Sequence, residues 1–124
     1  MRIRFRLCLG VTLLMIAAPI NAGEWMTMAV SPRQSFSPTN LRVLVRLQPN
    51  ADNRLLDVVA DSPDFYRRSQ IQLEGDHAPK TVIVEFRGVP SGEYAVSGYL
   101  LNSLGMPRAE SRQNVWVLPS GRDR

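Results

Sequence analysis

The chain has 124 residues and a mass of 13.9 kDa, with 15 Lys+Arg against 11 Asp+Glu, a formal net charge of +4 and a pI near 10.0. That length allows one domain and leaves little room for two, and 44% hydrophobic with 21% charged residues excludes a disordered tail or a collagenous repeat. A pI this high raises nucleic acid or an anionic membrane as partner, so the placement of the positive charges decides whether either stands.

Residues 1–22 carry the three-part pattern of a Sec-type secretory signal. Arg2, Arg4 and Arg6 make a basic start, an apolar stretch runs from Leu7 to Ile20, and the small Ala22 precedes the expected cleavage point. The apolar stretch falls short of the roughly 20 residues that span a bilayer, and Gly10 and Pro19 interrupt it. The arginines are separated, unlike a twin-arginine signal, and Cys8 lies at the start of the apolar run, where a lipid-acceptor cysteine would follow it. The expectation is therefore a periplasmic or extracellular domain over residues 23–124, with no stable membrane insertion after cleavage. It contains no cysteine, so a packed core and not a disulfide must stabilise it. Without Arg2, Arg4 and Arg6 it keeps 12 basic residues against 11 acidic ones, a net charge of +1 with no basic run. Nucleic acid loses its support as a partner.

In chain order, the first period-two segment is Met26 to Ser31, which Pro32 confines to a short or edge strand because it cannot donate to a ladder. In Leu41 to Leu47, the residues Leu41, Val43, Val45 and Leu47 face the core and Arg42 and Arg46 face outward, with Leu44 out of pattern. Further strands are predicted at Arg54 to Ala60, Ser69 to Glu74, Thr81 to Arg87, Tyr94 to Leu101 and Gln113 to Leu118, separated by Pro-, Gly- and Asn-rich turns. Between the third and fourth of these seven, Ser62 and Pro63 suit the cap and first position of a helix that has room for about one turn over residues 62–68. With no crossover helices a parallel sheet is excluded. The prediction is a single all-β domain, a seven-stranded antiparallel Greek-key sandwich.

Gly88-Val89-Pro90-Ser91-Gly92-Glu93-Tyr94-Ala95-Val96 resembles the turn-then-strand segment of bacterial immunoglobulin-like and fibronectin type III-like sandwiches. The resemblance implies that Tyr94 forms a tyrosine corner, its hydroxyl bonding back to nearby backbone. It departs from the true immunoglobulin pattern, having no Cys pair and neither Trp25 nor Trp116 in the third strand. The architecture is shared by adhesins, enzyme accessory modules and periplasmic binding proteins, and so leaves the activity open.

The chemistry-bearing residues are few. His77 stands at a loop tip, no cysteine nucleophile remains, and no Gly-x-Ser-x-Gly elbow is present, so no enzyme and no cofactor are predicted. Met26 and Met28 share a strand face and Met106 precedes the last strand; thioethers suit Cu(I), but Gly23-Glu24-Trp25 supplies no histidine, and period two makes the first pair core filler. Asn50, Asp52, Asn53 and Asp57 lack the spacing of a calcium loop and suit a turn instead. Phe65, Tyr66, Arg67 and Arg68 admit two readings: Phe65 plugs an open end of the sandwich above solvated arginines, or the four form a recognition loop of the aromatic and Arg type that anchors interfaces. By alternation Ile83, Tyr99 and Leu101 face outward and make a second candidate surface. The function expected is a non-catalytic binding module for a protein or cell-envelope partner. The alternatives are a carbohydrate- or small-ligand-binding accessory domain that stacks its ligand on Tyr66, Trp25 or Trp116, and a small metal carrier.

Overall fold

The computed structural model describes residues 25–121, and the expected signal and its cleavage point lie outside them. Eight strands follow one another: β1 (Met26–Ser31), β2 (Gln34–Phe36), β3 (Thr39–Leu47), β4 (Leu55–Ser62), β5 (Phe65–Gln72), β6 (Thr81–Val89), β7 (Gly92–Leu101) and β8 (Pro107–Leu118). Among the described residues there is no α-helix, and a 3-10 turn lies at Gly75–His77. One sheet has the order β1-β3-β6 and the other β2-β8-β7-β4-β5, and all pairings but one are antiparallel.

Alternation builds the interior. In the first sheet Val43 lies in register between Val30 and Val84, and Val45 between Met28 and Val82. Facing them, Leu56, Val58 and Ala60 of β4, Tyr94, Val96 and Leu100 of β7, and Val115 and Val117 of β8 complete one buried cluster. Each large aliphatic buried this way stabilises by about 1.5–3 kcal/mol. Gly98 occupies an inward position on β7, where an added Cβ would stand 2.9 Å from the Met28 sulfur. The close approach of the two sheets depends on that missing side chain. Leu44 faces outward, half-buried in register between Ala29 and Ile83.

Three expectations are corrected. The strands number eight among the described residues, because the three-residue β2 is too short to show an alternation that sequence could reveal. β2 also runs parallel to β8, with Trp116 N–H donating to the Arg33 carbonyl at 2.9 Å and Ser37 N–H to that of Leu118 at 2.9 Å. Parallel neighbours need a long connection, and here the rest of the domain provides it in place of a helix. Lastly, residues 62–68 form no helical turn: Pro63-Asp64 connects the tight hairpin of β4 and β5, with Ser62 paired to Phe65. An isolated turn of helix is marginal, whereas Phe65, Tyr66 and Ile71 have strand-favouring side chains beside a partner strand. The fourth predicted strand thus begins at Phe65 and not at Ser69.

Side chains also seal the gaps between the sheets. Gln113 on β8 accepts from Val30 N–H at 3.2 Å and donates to the Met28 carbonyl at 2.9 Å, so the polar edge of β1 is satisfied by a residue of the other sheet.

Candidate functional site

The outward residues of the five-stranded sheet fall into transverse rows fixed by the strand registers. One row is Gln70, Asp57, Tyr99 and Glu110; the next is Arg68, Val59, Ser97 and Arg112. Tyr66, Asp61, Ala95 and Asn114 follow, and then Glu93, Trp116 and Gln34. Within this surface Arg68 holds Asp57 through three contacts, Nε to Oδ1 at 2.9 Å, Nε to Oδ2 at 3.2 Å and Nη2 to Oδ2 at 2.7 Å. The hydrogen bonds and charge of Asp57 raise the Arg68 guanidinium above its ordinary pKa. Asp57 and Ser97 are only 6% and 7% exposed although they sit on an outer face. Neighbouring side chains therefore cover them and give the centre of the face a fixed polar arrangement.

At one corner the surface turns aromatic. Trp116 is 39% exposed and Phe36, on β2, is 66% exposed. Glu93 on β7 and Gln34 on β2 stand in register on the two sides of Trp116. Gln34, Trp116 and Leu118 border a depression of about 360 Å³.

The four residues Phe65 to Arg68 do not form one loop. As alternate positions of β5 they divide between two faces. Phe65 turns inward and meets the Tyr94 ring edge-on, with centroids 5.8 Å apart at 79°. Arg67 lies over the Phe65 ring at 5.0 Å and donates to the Arg87 carbonyl at 3.1 Å, bridging to the other sheet. Tyr66 and Arg68 belong to the outer rows. Ile83, Tyr99 and Leu101 do not form one patch either: β6 and β7 are consecutive but belong to different sheets, so Ile83 lies on one outer face and Tyr99 and Leu101 on the other. Tyr94 is 1% exposed and its hydroxyl donates to the Pro90 carbonyl at 2.8 Å. Burial pushes its phenol pKa up and Asp64 adds to this, while the Ser62 hydroxyl opposes.

The remaining candidates have structural partners or lie open to solvent. His77 is exposed beside Asp76, at 3.3 Å. Met26 and Met28 are buried and Met106 is exposed. Asn50 accepts from Asp52 N–H at 2.8 Å, a local turn bond. Asn53, 1% exposed, donates to the Gln48 carbonyl at 2.9 Å and accepts from Arg108 Nη1 at 3.2 Å. The Arg108 guanidinium also stacks 3.9 Å from the centroid of the Trp25 ring. Among the described residues no three His, Cys, Asp or Glu side chains converge as a metal site.

No family model matches the chain, and no curated protein matches it significantly. A solved structure that is similar is that of a superoxide reductase (neelaredoxin) from Ignicoccus hospitalis, with 16% identity and a TM-score of 0.53. The match covers 74% of this chain and 79% of that one. The likeness is one of a β-rich fold. It overturns the exclusion of enzymes drawn from missing motifs, because the protein it is similar to is an enzyme and a fold of this kind accommodates catalysis.

Sequence reasoning missed Asp57 as the partner of Arg68, Arg108 as the partner of Trp25, and the grouping of Phe36, Glu93 and Gln34 around Trp116. Glu93 and Trp116 were accessible in principle as outward positions of two alternating strands. Their pairing depends on register, which alternation alone does not supply.

Proposed function

We propose that the protein is an exported binding module of the immunoglobulin-like or fibronectin type III-like kind, engaging a protein or cell-envelope partner through the outer face of its five-stranded sheet. The observation that carries this reading is the arrangement of that face. Its centre holds a carboxylate kept nearly buried by a forked arginine, and its corner exposes two aromatic rings. Aromatic rings and arginine are the side chains that most often anchor recognition surfaces. The strand orders β1-β3-β6 and β2-β8-β7-β4-β5, and the Tyr94 bond to backbone four residues upstream, support the kinship. Export rests on the basic and apolar pattern of residues 1–22.

Nuclear magnetic resonance of the purified ¹⁵N-labelled protein, titrated with solubilised bacterial cell-envelope extract, tests the reading. Amide shifts are expected to gather on β4, β7 and β8 around Asp57, Tyr99 and Trp116. Shifts confined to the outer face that bears Leu44 and Ile83, or no shifts at all, would contradict it.

A further inference from the structure

We infer that Trp116 is the floor of a site for a neutral sugar ring of a glycan. This inference rests on the reading of the five-stranded face as the binding surface and names the ligand class that its corner fits. A pyranose presents an apolar face of C–H groups and a rim of hydroxyls. A site for it needs an open aromatic plane with hydrogen-bonding groups at its margin. Trp116, 39% exposed and bordering the depression beside Gln34 and Leu118, supplies the aromatic surface, on a strand paired along both sides. Glu93 supplies carboxylate acceptors on one side, and Gln34 a carboxamide that both donates and accepts on the other.

The same residues disfavour other ligands. A phosphate or another anion would meet the Glu93 carboxylate, and no cation stands in register with Trp116. Phe36 lies in the row beyond, paired with Leu118 and 66% exposed. It offers a second apolar surface beside the first, which favours an oligosaccharide over a single sugar.

The chain has two tryptophans, so Trp25→Phe leaves Trp116 as the sole indole reporter. Emission of this variant is followed during titration with cellotriose, maltotriose, mannotriose and chitotriose. At least one is expected to shift the emission with millimolar affinity, and Glu93→Ala and Phe36→Ala, both at exposed positions, are expected to weaken that binding by about tenfold or more. A flat response to all four, or a response that Glu93→Ala leaves intact, overturns the inference. Envelope extract separates the two levels. If its amide shifts map to this face and are abolished by protease treatment of the extract but survive glycan oxidation, the partner is a protein and the sugar site falls while the binding face stands. If neither the sugars nor the extract perturb the face, both readings fall.

Discussion

The hydroxyl of Tyr94 and the carbonyl of Pro90 are joined at 2.8 Å, which ties the turn between β6 and β7 to a ring that is 1% exposed. Tyr94→Phe keeps the ring and its edge-on contact with Phe65 but leaves the Pro90 oxygen without that donor. A loss of about 1–3 kcal/mol is expected from denaturant unfolding. Stability equal to that of the parent would show that water replaces the bond at no cost.

The same residue sets a dependence on alkaline pH. Its folded-state pKa is raised, chiefly by burial, so the unfolded chain ionises first as pH rises above the ordinary tyrosine value near 10. Above that point the unfolded state binds fewer protons than the folded one, and stability falls progressively until the folded-state pKa is passed. Tyr94→Phe is expected to flatten the decline in thermal midpoint above pH 10 (roughly) while leaving the slope near neutrality unchanged. Identical alkaline slopes in parent and variant would contradict this.

Gly98 and Met28 test the fit of the sheets. Gly98→Ala places a methyl group where the Met28 sulfur already lies, 2.9 Å from the new carbon. Overpacking of this kind costs about 1–3 kcal/mol. In the Met28→Ala background the same substitution is expected to cost less, because the opposing group is gone. Simple additivity of the two changes would show that the close contact is not what matters.

Asn53 is a buried junction between the Gln48 carbonyl and Arg108, which stacks on Trp25. Asn53→Ala is expected to cost about 1–3 kcal/mol and to shift Trp25 emission, measured in a Trp116→Phe background, as Arg108 loses an anchor. Unchanged emission would mean that the stack holds Arg108 without help.

How much was legible in the sequence differs from element to element. β1 runs from Met26 to Ser31 as alternation and Pro32 predict, and the inward set of β3 is Leu41, Val43, Val45 and Leu47. Strong period-two patterns with one buried face leave few other arrangements. The hairpin at Pro63-Asp64 was hidden because Ser62-Pro63 satisfies the rules for a helix start equally well, and only the pairing with β4 decides between them. The candidate surface suffered most. Ile83 and Tyr99 both face outward as predicted, but which sheet each strand joins is a tertiary fact, and it puts them on opposite faces. Likewise Arg68 finds Asp57 only after β4 and β5 are in register.

That opposition gives the most direct measurement. Immobilised bacterial cell-envelope material is titrated with the parent protein, with Trp116→Ala and with Ile83→Ala, the folded state of each being checked by circular dichroism. Both side chains are exposed and lie on opposite faces of the domain. Binding that weakens about tenfold or more in Trp116→Ala and persists in Ile83→Ala is the predicted result. Full binding by Trp116→Ala with loss in Ile83→Ala would place recognition on the three-stranded sheet and contradict the account.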